Sequence, residues 1–271
     1  MLHSCIQNLI SCNLSLFLKS RMAKLRLIPT PQDAILGIIH NELAPKKGDL
    51  HLHAVAMLRN MIITGALSPG ERLNERELCT SLNASRTPVR EAIKTLAQDG
   101  LIEVSPNRSP VVIPLDAQQT ADLIVVVSTI EALAGELAAS RVTDAEIAEL
   151  GILHYTMLRH KAKDDLPDYF KANKAFHRKI LEYAHNSTLL WIWDLLSLRV
   201  DRARYASNLW PERWGKAMHE HEQILKCLSD RKPRATSMAM SEHVQNGLSV
   251  VVTSLLQAHH AKPPRGRKPI A

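Results

Sequence analysis

The hydrophobic pattern between residues 49 and 100 predicts three short helices. Apolar residues recur at helical spacing in the first of them, at Leu50, Ala54, Met57, Leu58, Met61 and Ile62. Asn74, with Glu77 three residues later, fits a capping box that opens the second helix. Asn83 can close that helix, because asparagine tolerates the left-handed conformation that ends many helices.

The third predicted helix follows Ser85 and separates apolar from basic side chains. Its inward face carries the apolar residues Val89, Ile93 and Leu96. Its outward face carries the basic residues Arg86, Arg90 and Lys94. Gly100 ends the helix.

Two apolar stretches after Gly100, LIEV and PVVIPL, flank the polar segment SPNRS and predict a two-stranded hairpin. Asn107 can supply the positive φ that such a turn often needs. Three short helices followed by a hairpin form a winged helix-turn-helix, whose third helix enters the major groove of DNA. Arg86, Thr87 and Arg90 would then contact DNA, since arginine pairs bidentately with guanine. A solvated helix face is the alternative.

Residues 117–260 show helical periodicity and no convincing alternating strand. The valines at 125–127 look strand-like alone, but they lie in an apolar helical stretch from Ala121 to Ala139. Thr143, with Glu146 three residues later, fits a capping box that opens a second helix. Further helices are predicted over 168–183, 188–206, 211–229 and 234–257. The segment therefore predicts an antiparallel bundle of about six helices, and the chain as a whole is mainly α.

The chain has 271 residues, enough for about two domains, and a formal net charge of +7. Residues 1–48 carry six basic and two acidic residues, and residues 261–271 carry four basic and no acidic ones. Residues 49–116, with seven basic and eight acidic, are at −1, and residues 117–260, with 17 of each, are neutral. Bulk charge is therefore no argument for DNA binding by the winged-helix segment.

We interpret residues 1–48 as a partly disordered extension, with Met22 as an alternative start. The apolar run from Ile6 to Leu18 is interrupted by polar residues, which argues against a signal peptide or a membrane span. The four cysteines form no CxxC pair, as expected in the reducing cytoplasm. Residues 261–271 form a basic tail whose Arg-Gly-Arg could enter a minor groove or attract phosphates nonspecifically.

Histidines in the helical segment allow a metal site. Asn173 and His177 stand at i and i+4 on one predicted helix, hence on one face. His221 and His243 lie on two later helices, and ligands from several helices can converge in a bundle core. Imidazole suits zinc, nickel, copper or iron, although single helical histidines are more often surface or core residues.

Within residues 49–116, the motifs G-x-L-x-P-G-E-x-L, S-R-T-P-V-R-E-A and L-x-x-D-G-L-I resemble the DNA-binding domain of GntR-type bacterial transcription regulators. The resemblance implies DNA contacts from seven residues, Arg76, Ser85, Arg86, Thr87, Arg90, Asn107 and Arg108. Ser109 stands where many family wings carry glycine, so the wing contact is less well supported than the recognition helix.

Within residues 117–260, the motifs IEALAGELAAS, N-x-x-F-H-x-x-I-L, E-H-E-Q-I-L and A-x-S-E-H-V resemble the all-helical FCD effector domain of FadR-type GntR regulators. That family commonly holds a divalent metal with one Asp or Asn and three histidines, which implies Asn173, His177, His221 and His243. Zinc is the first expectation, with nickel or another first-row metal as alternatives. Asparagine in place of aspartate removes a negative charge and should weaken metal affinity.

The family's ligands are typically small organic acids that reach the metal's open position. Ser128 stands where many members carry an arginine, which leaves Arg199, Arg202 and Arg204 on a later helix as candidate carboxylate partners. A solvated face is the alternative for these three.

The sequence therefore predicts a homodimeric regulator that binds double-stranded operator DNA and responds to a small organic acid at a metal site. It is not expected to be an enzyme or to contact a membrane. A metal-dependent enzyme domain fused to a DNA-binding module and a direct metal-sensing repressor are the alternatives.

Overall fold

The computed structural model describes residues Leu50–His260, apart from the side chains of residues 211, 259 and 260. Its first part contains α1 (Leu50–Ile63), α2 (Glu75–Ser81), α3 (Arg86–Gln98), β1 (Ile102–Glu103) and β2 (Val111–Val112). The two strands pair antiparallel, with Ile102 opposite Val112. This is the predicted winged helix-turn-helix. The predictions for the N-terminal extension and the basic tail lie outside the described residues.

Two asparagines with positive φ set the turns of this part, as predicted. Asn83 follows α2 with φ 46°, and Asn107 has φ 59° at the tip of the hairpin. The start of α2 differs from the predicted capping box. The Asn74 side chain accepts from the Arg76 backbone N–H, while its amide nitrogen donates to the Glu77 carboxylate at 2.7 Å. In a capping box the Glu77 carboxylate would accept from the backbone N–H of Asn74. Here it accepts from the side-chain amide of Asn74 instead.

The second part contains six helices and no strand within the described residues, which confirms the predicted mainly α fold. The helices are α4 (Ala117–Arg141), α5 (Asp144–Lys161), α6 (Leu166–Tyr183), α7 (Ser187–Asn208), α8 (Pro211–Ser229) and α9 (Pro233–His260). Local sequence determines their starts. Thr143 and Glu146 form a complete capping box, and Asp116, Asp165 and Asn186 cap α4, α6 and α7.

Helix α4 runs through the middle of this bundle. By length and composition alone it could cross a membrane, with a mean hydropathy of 1.7 over its best 18-residue window. Its inward residues Val127 and Ala134 nevertheless belong to one core cluster, Ala138 and Ala139 belong to another, and Glu131 on the same side is completely buried. We therefore assign α4 as the central helix of the bundle, since core helices pass the same hydropathy test.

Gly135 lets α4 and α9 approach closely. A Cβ atom at Gly135 would lie 2.8 Å from Met240 Cγ and 3.1 Å from Thr236 Cγ2, so any side chain there requires these side chains or the helices to shift. Gly151 in α5 offers a matched control, because a Cβ there would meet nothing within 4 Å of the described atoms.

We expect Gly135→Ala to lower the free energy of unfolding relative to Gly151→Ala by about 1–3 kcal/mol, the usual cost of overpacking. Gly151→Ala should itself stabilise the protein by up to about 1 kcal/mol, because alanine favours helix over glycine. Chemical denaturation of both variants measures the difference. Equal stability of the two would contradict the close packing of α4 on α9.

Candidate functional site

The predicted DNA-contacting residues all lie on the exterior of the winged-helix part. Helix α3 buries Val89 and Ile93 and leaves its opposite face exposed. Ser85 has the extended backbone of an N-cap, but its side chain makes no capping hydrogen bond within the described structure. The exposed residues include all seven predicted contacts, Arg76, Ser85, Arg86, Thr87, Arg90, Asn107 and Arg108.

An ion pair joins α3 to the start of α2. Arg90 Nε donates to Glu75 Oε2 at 2.7 Å, although both side chains are accessible to solvent. This hydrogen bond and the charge of Glu75 raise the pKa of Arg90, so the guanidinium stays protonated. Arg90 is therefore already oriented by a partner that lies next to Arg76.

The wing tip lies beside the same end of α2. A cleft of about 540 Å³ is lined by Asn74 and Glu75 on one side and by Asn107 and Arg108 on the other. Glu75 thus links this cleft to Arg90 on α3. Helix α3, the start of α2 and the wing tip form one continuous surface, as a winged helix needs for groove and backbone contacts.

Three histidines and one asparagine converge inside the bundle, and they are the four residues that the sequence predicted as metal ligands. Helix α6 supplies Asn173 and His177, α8 supplies His221, and α9 supplies His243. All four side chains are buried, and ligand atoms of the three histidines lie within 4.8 Å of one another. The i, i+4 spacing on α6 places Asn173 and His177 on the same face of that helix.

Two donor atoms of this histidine centre have the spacing that a zinc ion needs. The Nε2 atoms of His177 and His243 are 3.2 Å apart. Two nitrogens bound tetrahedrally to one zinc at about 2.0–2.1 Å stand about 3.3 Å apart. Both nitrogens of His221 and Oδ1 of Asn173 are buried and have no hydrogen-bond partner among the described residues. Buried polar atoms are normally satisfied, so these residues fit a metal ion well.

Two carboxylates fix the orientation of two of the rings. Glu131 on α4 lies 2.8 Å from His177 Nδ1, and Glu220 on α8 lies 2.7 Å from His243 Nδ1. Because a carboxylate accepts, we assign the ring protons to Nδ1, which leaves both Nε2 lone pairs directed at the centre. Such carboxylate–histidine pairs commonly support metal ligands.

The rings are neutral and the carboxylates are charged at neutral pH. Burial, together with the charge of Arg204, lowers the pKa of His177 to about 4, and burial also lowers the pKa values of His221 and His243. Burial raises the pKa of the Glu131 carboxyl, but the charge of Arg204, the interaction with His177 and the hydrogen bonds from both side chains together more than offset this and hold the pKa at about 2. Neutral imidazole is the form that binds metal.

Of the three arginines proposed from sequence, the structure brings one to the histidine centre. Arg204 is buried, donates to Glu131, and lies 3.2 Å from His177 Nδ1. Arg199 is exposed. Arg202 is buried, and its Nη2 has no hydrogen-bond partner among the described atoms.

Sequence reasoning missed Arg213, which contacts the centre from α8. Its Nη2 donates to Glu220 at 2.5 Å and lies 3.4 Å from His243 Nδ1. Arg213 stands outside the motifs that pointed to the site, and only the packing of α8 on α9 brings it there. Glu131 and Glu220 lay within those motifs, and a charged residue on an apolar helix was the available signal for Glu131.

A small cavity adjoins the histidine centre. It has a volume of about 20 Å³, and its lining includes Asn173, Arg204, Asn208, Arg213 and His243. This is room for about one water molecule. A larger cleft of about 510 Å³ is lined by residues of α8 and α9, and Arg213 is among them.

Comparisons with known proteins support the two-part organisation. Residues 50–112 match the model of "Bacterial regulatory proteins, gntR family", and residues 122–246 match that of the FCD domain. The chain is 31% identical over 191 residues to the HTH-type transcriptional repressor RspR of Escherichia coli (strain K12), covering 70% of this chain and 83% of that protein. It is 31% identical over 188 residues to the Nta operon transcriptional regulator of Aminobacter aminovorans, covering 68% and 86%.

The fold is also similar to solved structures. The structure described as E. coli McbR/YncC aligns with a TM-score of 0.66 at 23% identity, covering 78% of this chain and 98% of that one. A putative transcriptional regulator GntR from Rhodococcus sp. RHA1 aligns with a TM-score of 0.60 at 21% identity, covering 77% and 98%. At these identities the likeness concerns the fold alone.

Proposed function

This chain belongs to the GntR family of bacterial regulatory proteins and carries an FCD domain, and on that premise we propose that a small organic acid, bound beside a divalent metal, controls its operator binding. Its family and its relatives are transcriptional regulators. The protein is accordingly a DNA-binding transcriptional regulator and not an enzyme. The metal, the effector, the individual contact residues and the dimer are the parts that we propose.

One observation carries the proposal of a metal-linked effector site. Three buried histidines have ligand atoms within 4.8 Å of one another, the Nε2 atoms of His177 and His243 are 3.2 Å apart, and His221 and Asn173 have buried polar atoms without a partner in the described structure. We propose zinc as the metal, with nickel or another first-row metal as the alternative. A bound zinc would supply a Lewis-acidic position for a carboxylate oxygen, and Arg204 would hold the carboxylate through charge-assisted hydrogen bonds.

On the DNA side, we propose that Arg86, Thr87 and Arg90 contact base edges in the major groove. Ser85 and Arg76 would contact phosphates beside them, and the wing tip, Asn107 and Arg108, would reach the adjacent groove. The exposure of all seven side chains supports this assignment. As a transcription regulator without a membrane partner, the protein would act in the cytoplasm.

The test of effector control is the affinity for an operator fragment, selected from random DNA and measured by fluorescence anisotropy. We expect a small organic acid to change this affinity in the zinc-loaded protein and to have no effect after chelation. A 100-fold change corresponds to a coupling free energy of about 2.7 kcal/mol. If no acid in a broad panel alters operator affinity with zinc present, effector control is wrong.

A direct metal sensor is the second candidate, and the size of the inner cavity favours it. About 20 Å³ accommodates little beyond the ion itself and a water molecule. In that case chelation alone would change operator affinity, and organic acids would add nothing. The same measurement therefore separates the two functions.

We propose that the protein is a homodimer that uses exposed apolar side chains of α4 and α7. Two-fold symmetry lets two winged helices read two half-sites of a near-palindromic operator. Trp191 and Leu195 on α7 are 62% and 64% exposed, and Val125 on α4 is 67% exposed. Large apolar side chains grouped on neighbouring helices are typical of protein–protein contact.

We expect Leu195→Glu to convert the dimer to a monomer, because it would place a charge in the apolar contact. Ile152→Glu on α5 is the matched control, since Ile152 is 65% exposed on a helix outside the proposed contact. Sedimentation velocity of both variants measures the change. If the Leu195→Glu protein stays dimeric at micromolar concentration, the dimer interface lies elsewhere.

A further inference from the structure

We propose that Arg199 fixes the position of the winged-helix part on the helical bundle and thereby sets the separation at which the protein reads two half-sites. The inference rests on the proposed homodimer, because two winged helices are needed to sense a separation. Three features support it: the place of Arg199 beside the turn at Gly100, the charge at the end of α3, and the short connection to α4.

The turn formed by Asp99, Gly100 and Leu101 joins α3 to the wing. Gly100 has φ 73°, a conformation that favours glycine. The Leu101 N–H donates to the Leu96 carbonyl of α3 at 2.9 Å, and the Leu101 carbonyl accepts from the Ile113 N–H, just after β2, at 3.0 Å. Leu101 is itself buried. A contact at this turn therefore holds α3 and the wing together as one unit.

Arg199 reaches the turn at Gly100 from the bundle. A Cβ atom at Gly100 would lie 3.7 Å from Arg199 Nη2, which is an ordinary van der Waals distance. Arg199 is exposed, but the next residue on α7, Val200, is completely buried in a core cluster of the bundle. Helix α7 thus presents the guanidinium from a fixed backbone. This role differs from that of the carboxylate partner that the sequence suggested for Arg199.

The end of α3 attracts a guanidinium. The last carbonyls of a helix carry a partial negative charge, and a cation beside them is stabilised. The last turn of α3 contains no basic residue of its own. Asp99, which follows this turn, adds a carboxylate that pairs with Arg59 of α1 at 2.9 Å. Arg199 therefore supplies, from the bundle, a positive charge that complements this end of α3.

The covalent connection alone leaves the winged-helix part able to pivot. Pro114 and Leu115 lie between Ile113, which is bonded to the turn, and Asp116, which caps α4. Such a connection spans roughly 10 Å at most, and proline restricts its own φ, so the two parts stay close. One point of attachment still permits rotation about that point. Arg199 supplies a second point, which opposes the rotation.

A fixed winged helix implies a fixed half-site separation. In a two-fold dimer the two recognition helices must enter grooves that face the same side of the DNA. Adding two base pairs between the half-sites turns one of them by about 70° around the DNA axis and moves it by about 7 Å. A dimer whose winged helices are fixed cannot follow this change, whereas one whose winged helices pivot can follow part of it.

The test compares operator fragments that differ in half-site separation, using the full chain and fluorescence anisotropy. The operator selected from random DNA is redesigned with two base pairs more or fewer between its half-sites. Wild type should bind the altered fragments about tenfold or more weakly than the operator. In Arg199→Gln, with the dimer verified by sedimentation velocity, this loss should fall to about threefold or less. Lys226→Gln is the matched control, because Lys226 is exposed on α8 and pairs with Asp230.

A fragment with a single half-site completes the design. Wild type and Arg199→Gln should bind it equally, since Arg199 is placed at the turn and not on the DNA. A weaker Arg199→Gln complex with this fragment, or a full spacing preference in that variant, would overturn the role of Arg199. If wild type tolerates every separation, the winged helix is not fixed and the inference fails, while effector control stands on its own test. If wild type binds one half-site as tightly as two, the proposed homodimer fails as well.

Discussion

His221→Ala is expected to lower the zinc affinity of the protein by about 100-fold or more, because it removes one of the three imidazole ligands that the helices bring together. Neither nitrogen of His221 has a hydrogen-bond partner among the described residues. Its removal therefore breaks no hydrogen bond that supports the fold, and a loss of zinc can be assigned to the missing ligand. Purified wild-type chain should contain about one equivalent of metal by elemental analysis. Competition with a chelator gives the change in affinity.

His219→Ala is the control for this experiment. It lies two residues earlier on α8, with its side chain 69% exposed, and it is outside the histidine centre. We expect it to keep its zinc. Chelation should lower the melting temperature of wild type and His219→Ala, since a ligand bound only to the folded state stabilises it, and should leave His221→Ala unaffected. Equal metal content in wild type, His219→Ala and His221→Ala would contradict the assignment of the metal site.

Asn173→Asp should change zinc affinity in the opposite direction. Asn173 Oδ1 is buried and unpaired within the described structure, and a carboxylate there would add a negative charge beside the ion. An increase in affinity, measured by the same competition, would place Asn173 in the ligand set. A decrease would mean that the amide supports the site in another way.

Arg86→Ala and Arg90→Ala are each expected to cost about 1–3 kcal/mol in operator binding, which corresponds to roughly 5- to 150-fold in affinity. Each substitution should also relax the sequence preference at one base position of the half-site, because a base contact discriminates and a phosphate contact does not. Binding to a library of single-base operator variants measures both effects.

Lys94→Ala is the control that separates base readout from nonspecific electrostatic attraction to DNA. Lys94 lies one turn further along the exposed face of α3. Its side chain is exposed and pairs with Glu91. We expect it to leave sequence preference unchanged and at most to reduce the salt dependence of binding. If the two arginine variants behave like Lys94→Ala, the assignment of α3 as the base-reading helix is wrong.

Much of the fold followed from local signals in the sequence. The winged helix was predictable because its turns use residues with a physical signature, such as Asn83 and Asn107 at positive φ. The six-helix bundle was predictable because helical periodicity and caps recur along it. The cap at Asn74 differed from the predicted capping box, because the side chains of Asn74 and Glu77 hydrogen-bond to each other. The same two residues can form either arrangement, so the sequence does not distinguish them.

The histidine centre was predictable for a different reason. Spacing on α6 paired Asn173 with His177, and a helical bundle allowed convergence with His221 and His243, but the family resemblance was needed to favour this set over other helical histidines. Arg204 could not be chosen over Arg202 from sequence, because successive residues turn by about 100° around a helix and the facing direction depends on neighbours. Arg213 required knowledge of which helices pack together, and that is a property of the tertiary structure.

The ion pair between Arg90 and Glu75 bears on how such a protein finds its operator among a genome of competing sites. Only Nε of Arg90 donates to Glu75, so both terminal nitrogens stay available to a base edge while the carboxylate orients the guanidinium. The Glu75 carboxylate also repels the phosphates of any DNA sequence. If Arg90 reads a base as we propose, the correct base supplies hydrogen bonds that outweigh this repulsion, whereas random DNA does not. Discrimination would then come partly from weakened binding to the wrong sites.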